Sequence, residues 1–183
     1  MNLSIFPGNL PVPQDDGAAR HLEGLMLPAI TLQATDGNLV NLEKLQGRNV
    51  IYIYPMTGQP YVSLPDGWDE IPGARGCTPQ SCSFANHFLE LKVLNTGVFG
   101  TSSQTTEYQL EAKNRLHLPF ELLSDSSLIL SKALNLPTFN TGKFRLYKRL
   151  TLIIDNNKIV KVFYPVFPPD KNIDDVLNWL KSK

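Results

Sequence analysis

Residues 49–55 read Asn49-Val50-Ile51-Tyr52-Ile53-Tyr54-Pro55, a short run of β-branched and aromatic residues that ends at a proline. An apolar run of this length, without polar alternation, is typical of a strand that is buried on both faces in the middle of a sheet. Pro55 therefore marks the carboxyl end of a central strand. Because ligands of open α/β sheets bind at that edge, we expect the functional residues to lie there.

Strand and helix patterns alternate on both sides of this run. Before it, residues 29–34 and 39–40 are predicted to form a hairpin that turns at Asp36-Gly37. After it, we expect helices at 78–94, 106–116, 128–134 and 173–181, and strands at 98–101, 120–122, 146–154 and 159–164. This order predicts an α/β fold for residues 27–183, with a central mixed β-sheet flanked by helices.

Residues 1–26 differ in composition from the predicted domain. Prolines and glycines recur there, which favours an extended, loosely packed N-terminal arm. The chain shows neither the basic start and apolar run of a secretion signal nor the roughly 20 consecutive apolar residues of a membrane span. We therefore expect a soluble, cytoplasmic protein.

The overall composition limits the class of partner. The 183 residues are 42% hydrophobic, which suits one domain with a full core. Lys plus Arg and Asp plus Glu each total 17, so the chain lacks the positive excess that would attract nucleic acid or an anionic membrane. We expect a small molecule or another protein as the partner, and a monomer or homodimer.

The two cysteines of the chain both lie in Gly76-Cys77-Thr78-Pro79-Gln80-Ser81-Cys82. Thr78 followed by Pro79 is typical of a helix N-cap with proline at the first helical position, which predicts Cys77 at the positive end of the helix dipole. A thiolate is the reactive form of cysteine, and positive surroundings favour it. The sequence therefore predicts a reactive thiol, to which Arg75 and Arg149 are candidate sources of further positive charge.

The spacing of the cysteines constrains what they can do. Residues five apart on an intact α-helix have Cα atoms about 8.6 Å apart, whereas a disulfide needs them within roughly 6.8 Å. Cys77 and Cys82 can therefore bond only if the helix start unwinds, which would make the pair a redox switch. The alternative is that both thiols are inert, with Cys82 packed as a small apolar residue.

Other chemistries are poorly supported by the sequence. A structural zinc site needs four ligands, and His87 stands near Cys82, but His21 and His117 belong to unrelated segments, so we predict no metal. The chain contains neither a Cys-x-x-Cys dithiol nor a Gly-rich phosphate loop.

The cysteine motif resembles that of the peroxiredoxins, and in particular of the bacterioferritin-comigratory or Q-type branch, where a second cysteine follows Gly-Cys-Thr five positions after the first. Further matching segments, in the family's order, are Pro28–Leu32, Asp36-Gly37, Tyr54-Pro55, Val98–Ser102, Leu122–Asp125 and Arg149–Asp155. The resemblance implies a thioredoxin-like fold and a cofactor-free thiol peroxidase that reduces hydrogen peroxide or small organic hydroperoxides.

The resemblance also implies roles for single residues. Cys77 would attack the peroxide and become a sulfenic acid, Cys82 would capture it as an intramolecular disulfide, and thioredoxin or a similar dithiol reductant would restore both thiols. Arg149 would stabilise the thiolate and polarise the peroxide, with Gln80 orienting that arginine. Pro55 would shield the thiolate from water.

The chain departs from the family just before the motif. The family places Thr or Ser three residues before the first cysteine and Pro seven before it, where this chain has Ala74 and Glu70. We therefore expect an insertion at residues 58–75, with Pro55 and Thr57 supplying the missing proline and hydroxyl.

Two other functions stay open from the sequence. One is a one-cysteine peroxidase in which Cys82 is a bystander. The other is a thioredoxin-fold sensing or binding module, in which the inserted loop engages a partner through Tyr61 and Trp68.

Overall fold

The computed structural model describes residues 10–183. The strands of this part are β1 Thr31–Ala34, β2 Leu39–Asn41, β3 Arg48–Ile53, β4 Thr96–Ser102, β5 Glu121–Ser124, β6 Thr138–Thr141, β7 Phe144–Tyr147, β8 Leu150–Asp155 and β9 Lys158–Phe163. The α-helices are α1 Cys77–Asn86, α2 Phe88–Val93, α3 Thr106–Leu116, α4 Ile129–Leu134 and α5 Asn172–Lys181, and short 3₁₀ turns lie at Leu42–Lys44, Trp68–Glu70 and Pro169–Lys171.

The central sheet is mixed, which confirms the predicted α/β class. Within residues 10–183 it contains seven strands in the order β2-β1-β5-β4-β3-β8-β9, while β6 and β7 form a separate hairpin. Strand β3 pairs in parallel with β4 and antiparallel with β8. The register sets Ile53 opposite Leu150, so the residue before β8, Arg149, comes to the carboxyl end of β3.

Strand β3 is buried on both faces, as its sequence predicts. Ile51 and Ile53 face one core cluster, and Val50 and Tyr52 face the other. The ring of Tyr52 stacks on Phe84 of α1, with centroids 4.6 Å apart and planes 9° from parallel. This contact fixes α1 on the sheet just above the carboxyl end of β3.

The predicted helix at 78–94 is wrong in its start and its continuity. It starts at Cys77, because Gly76 adopts the left-handed conformation (φ 104°) at the N-cap position, and Thr78 is therefore not the cap. It stops at Asn86, and after a break at His87 the chain continues as α2. Gly97 lies in β4, where a Cβ would come within 2.3 Å of the Asn49 side chain.

The predicted strand at 146–154 is two strands in different sheets. Residues up to Tyr147 pair with β6, a strand that the sequence analysis did not predict, and residues from Leu150 pair with β3. The chain changes sheets at Lys148-Arg149, because the hairpin of β6 and β7 leaves the plane of the central sheet. The bend turns the Arg149 side chain into the protein, where it is buried.

The expectation of a loosely packed N-terminal arm is wrong for residues 10–26; residues 1–9 lie outside the described part. Ala19 and Leu22 are buried in the core cluster that contains Ile51. The His21 ring lies 2.8 Å from the carbonyl oxygen of Leu134. Among the helices of residues 10–183, none is both long enough and apolar enough to cross a bilayer.

A buried carboxylate, Asp125, fastens α4 to the end of β5. It accepts hydrogen bonds from the backbone N–H groups of Ile129, Leu130 and Ser131 and from the Tyr147 hydroxyl. Burial raises the pKa of Asp125. The carboxylate thus replaces the missing side-chain cap of α4.

We predict that Asp125→Ala lowers the free energy of unfolding by about 2–4 kcal/mol, because it leaves several buried donors without an acceptor. Asp125→Asn keeps one acceptor oxygen and should lose less. The exposed Asp66→Ala variant is the control, with a change of about 0.5 kcal/mol or less. Urea denaturation followed by circular dichroism measures all three, and equal losses for Asp125→Ala and Asp66→Ala would contradict the assignment.

Candidate active site

Cys77 is the first residue of α1 and is almost fully buried, with 3% of its surface exposed. The first N–H groups of an α-helix have no partner within the helix, and they carry the positive end of its dipole. Gly76 sets the entry angle, and the hydrogen bond from the Tyr52 hydroxyl to Ser81 Oγ (3.1 Å) ties the first turns of α1 to β3. The local fold therefore holds the sulfur in positive surroundings.

The guanidinium of Arg149 lies against this sulfur. Its Nη2 is 3.1 Å from Cys77 Sγ, although 72 residues separate the two in sequence. Arg149 is 3% exposed, so water and salt screen the interaction weakly. A cation at this distance stabilises the thiolate over the thiol.

The same Nη2 also faces three backbone carbonyl oxygens, those of Gly73 (3.2 Å), Ala74 (3.1 Å) and Arg75 (3.2 Å). An Nη group carries two hydrogens, so four acceptors share two donors. A thiolate is charged and attracts these hydrogens more strongly than a neutral carbonyl does. The sulfur and the three carbonyl oxygens therefore compete for the same two hydrogens.

Gln80 holds the other side of the guanidinium. Its Oε1 accepts from Arg149 Nη1 (2.5 Å), and its Nε2 donates to Asn172 Oδ1 (3.0 Å), which also accepts from the Thr151 hydroxyl (2.6 Å). Gln80, Thr151 and Asn172 are all buried. Because Asn172 Oδ1 accepts from both neighbours, the Gln80 amide can present only its oxygen to the arginine. Asn172 was missed in the sequence, where nothing sets it apart from other asparagines.

Pro55 and Thr57 follow β3, and both are buried. The backbone N–H and the hydroxyl of Thr57 donate to Gln104 Oε1 (2.9 and 3.2 Å), and Gln104 Nε2 donates to the Thr57 carbonyl (3.1 Å). Among residues 10–183, no hydrogen bond joins Thr57 to Cys77, so the structure does not bring the expected hydroxyl to the sulfur. Gln104 could have been suspected from sequence, since it follows β4, the parallel neighbour of β3.

Cys82 is the sixth residue of α1 and is half-buried, and both cysteines are free thiols. Burial raises the pKa of Cys82, and the positive charge of Arg115 on α3 offsets part of that rise. Arg115 also donates to the carbonyl oxygen of Gly58 (2.9 Å), at the start of the inserted loop. With α1 intact, the geometry keeps the two thiols apart.

A small cavity of about 20 Å³ is lined by Cys77. Its other walls are Met56, Gly58, Leu64, Trp68, Arg75, Gly76 and Thr78. A cavity of about this size holds a single water molecule. It therefore accommodates one small polar group, such as the terminal oxygen of a peroxide. Within the described chain, no group of three or more His, Cys, Asp or Glu side chains could hold a metal ion.

Comparison with known proteins identifies the family of this chain. The Redoxin family model matches residues 22–177. A chloroplastic peroxiredoxin Q from Suaeda salsa is 34% identical over 166 residues, which are 90% of this chain and 70% of the relative. The chloroplastic peroxiredoxin Q of Sedum lineare is 31% identical over 174 residues, 94% of this chain and 84% of the relative.

This chain belongs to the Q-type peroxiredoxins.

Solved structures support the fold of this peroxiredoxin. Peroxidoxin BcpB from Mycobacterium tuberculosis superposes with a TM-score of 0.72 at 22% identity, over 87% of this chain and 96% of its own. A PrxQ mutant from Xylella fastidiosa superposes with a TM-score of 0.71 at 22% identity, over 87% of this chain and 95% of its own. The fold is therefore thioredoxin-like, as expected, and the enzyme is a thiol-dependent peroxidase that uses a peroxide and a thiol reductant.

We predict that Gln80→Leu slows the oxidation of Cys77 by peroxide about ten-fold, because Arg149 loses the acceptor that fixes its plane. The second-order rate constant of sulfenic acid formation, measured by stopped-flow tryptophan fluorescence, checks this. Gln46→Leu, at an exposed position, is the control. A change in stability without a change in this rate constant would show that Gln80 is only structural.

The raised pKa of Cys82 predicts slow alkylation at neutral pH, because little thiolate is present. In the Cys77→Ser variant, the rate of iodoacetamide labelling should rise about ten-fold per pH unit between about pH 7 and pH 9. Adding Arg115→Gln removes the nearby positive charge, raises the pKa further and slows labelling at pH 8, whereas Arg115→Lys keeps the charge. Mass spectrometry measures the rates, and a plateau below about pH 8 contradicts the prediction.

Proposed function

We propose that this peroxiredoxin reduces hydrogen peroxide and small organic hydroperoxides through a sulfenic acid on Cys77, which Cys82 resolves as an intramolecular disulfide. The observation that carries the proposal is the 3.1 Å contact between Arg149 Nη2 and Cys77 Sγ at the start of α1.

In the first step, the Cys77 thiolate attacks the terminal oxygen of the peroxide. A sulfur–oxygen bond forms, the O–O bond breaks, and the sulfur gives up two electrons to become Cys–SOH. The leaving oxygen takes a proton and departs as water or an alcohol. The donors of Arg149 that face the sulfur also face the negative charge that develops on the leaving oxygen, which is how such a group lowers the barrier.

In the second step, the thiolate of Cys82 attacks the sulfur of Cys77. A disulfide forms, and the hydroxide that leaves takes a proton and becomes water. The first turns of α1 must unwind before the two sulfur atoms can meet. Two features favour this local opening. The N-cap residue of α1, Gly76, offers no side-chain cap, and the helix is interrupted at His87. A dithiol then returns two electrons by thiol–disulfide exchange and restores both thiols.

The finer assignments of partner and location rest on the sequence. Three assignments stay predictions: the dithiol is thioredoxin, the assembly is a monomer or homodimer, and the location is the cytoplasm. A coupled assay with thioredoxin and its reductase tests the first, analytical ultracentrifugation the second and cell fractionation the third.

The test of the mechanism adds one equivalent of peroxide to the wild type, Cys77→Ser and Cys82→Ser, and follows peroxide loss and intact mass. The wild type should consume peroxide and lose about 2 Da, as two hydrogens leave on disulfide formation. Cys82→Ser should consume one equivalent and stop at the sulfenic acid or oxidise further. Cys77→Ser should consume none.

Two results would overturn parts of the proposal. If Cys77→Ser consumes peroxide at the wild-type rate, Cys77 is not the residue that attacks the peroxide. Full turnover of Cys82→Ser with a dithiol reductant, at the wild-type rate, leaves Cys77 as attacker but makes the enzyme a one-cysteine peroxidase.

A further inference from the structure

The inserted loop, residues 58–75, builds a second and much larger cavity than the one lined by Cys77. Its volume is about 690 Å³, within the range of about 300–1,000 Å³ that is typical of small-molecule sites. The walls come from the loop itself, at residues 59–65, 67–70 and 75. The chemistry described above makes no use of this space.

The large cavity adjoins the small cavity that Cys77 lines. Leu64, Trp68 and Arg75 line both the large cavity and the 20 Å³ cavity. The smaller one has room for a single water-sized group. The small cavity can therefore hold the terminal oxygen of a hydroperoxide but not its organic group. The large cavity, on the other side of the shared walls, is the neighbouring space for that group.

The loop is fastened at several points, so the cavity is preformed. Trp68 is buried in a small cluster with Ala74 and Leu146. Arg115 holds the carbonyl of Gly58 at one end of the loop. Arg149 holds the carbonyls of residues 73–75 at the other end. A preformed site binds without the cost of ordering a mobile segment.

The walls indicate the chemistry of the occupant. Apolar and aromatic side chains line the cavity from its buried wall to its rim: Trp68 is buried, Leu64 is half-buried, and Val62 and Tyr61 are exposed. Tyr61 adopts a left-handed conformation (φ 64°), which is rare for a bulky residue, and its ring stands fully exposed at the loop tip.

The charges of the cavity disfavour an anion. Asp69 is paired with Arg75 at 2.5 Å, and Glu70 adds a further negative charge. A carboxylate on the ligand would meet a net negative wall. The cavity therefore suits an uncharged, apolar or aromatic group.

We propose that the loop 58–75 binds the organic group of neutral, bulky hydroperoxides and delivers their terminal oxygen to Cys77. The enzyme then favours such a hydroperoxide, with cumene hydroperoxide as the probe, over hydrogen peroxide. The proposal rests on the proposed function, in which the Cys77 thiolate takes the terminal oxygen and the remainder leaves, after protonation, as an alcohol.

The test compares kcat/KM for cumene hydroperoxide with kcat/KM for hydrogen peroxide. We expect Leu64→Asp to lower the ratio of the two about ten-fold, which corresponds to about 1.4 kcal/mol, because it places a charge in the shared wall. Val62→Asp changes a side chain that is 53% exposed and lines only the large cavity, so it should lower the ratio without disturbing the fold. Leu39→Asp, at an equally apolar and 72% exposed position on β2, is the control and should leave both values unchanged.

A second arm tests the charge of the ligand. A carboxylate-bearing aryl hydroperoxide of the same size should react more slowly than cumene hydroperoxide with the wild type. Glu70→Gln should narrow that difference. Equal rates for the two ligands would overturn the assignment of a neutral ligand.

The outcomes separate this proposal from the peroxidase mechanism. An unchanged ratio in both Leu64→Asp and Val62→Asp, with Cys77 still oxidised by peroxide, overturns the loop's role and leaves the mechanism standing. Failure of wild-type Cys77 to react with either peroxide overturns the proposed function itself. A lower ratio in both variants, with Leu39→Asp unchanged, supports the loop as the organic-group site.

Discussion

The structure depends on one buried cation. A guanidinium that is removed from water must find acceptors for its hydrogens and a compensating negative charge, or its burial costs several kcal/mol. Arg149 finds neutral acceptors in Gln80 and in the carbonyls of residues 73–75, and its nearest ionisable group is the sulfur of Cys77. The sheet register, the helix start and the end of the loop therefore converge on one site, where the cation meets the sulfur of Cys77.

The inserted loop is compatible with this site because its two ends are fixed. Lengthening a loop adds little entropic cost if the ends already meet, with about 0.6 kcal/mol for each doubling of length. Arg115 fixes Gly58 at the first end, and Arg149 fixes residues 73–75 at the second. Exposed positions between the ends, such as Val62, can then change without moving Cys77, whereas Leu64 and Trp68 line its cavity. The segment between β3 and α1 can thus carry both a wall of the catalytic site and an exposed surface that is open to change.

Sequence reasoning located the central strand and the reactive helix because both depend on local patterns. The burial of β3 follows from its continuous apolar run, and the juxtaposition of Arg149 and Cys77 follows from the family resemblance. The helix start at Gly76 was missed because Thr78-Pro79 forms a plausible cap, and only the backbone angle of the glycine decides between them. Contacts made by Gln104, Arg115 and Asn172 depend on which strands and helices become neighbours, which no local pattern encodes.

The break at His87 makes α1 short, and its length determines how fast it can re-form after unwinding. Because the chain interrupts its helix there, α1 is a separate segment of ten residues, whereas α2 packs against β4. Re-forming a helix of this length takes on the order of a microsecond or less, whereas enzymes typically turn over about 1–1,000 times per second. In the proposed cycle, the segment therefore re-forms at least about a thousand times faster than the enzyme turns over. Unwinding and re-forming α1 in every cycle is therefore compatible with rapid catalysis. Bond formation at the sulfur, and not the re-forming of the helix, then limits the rate.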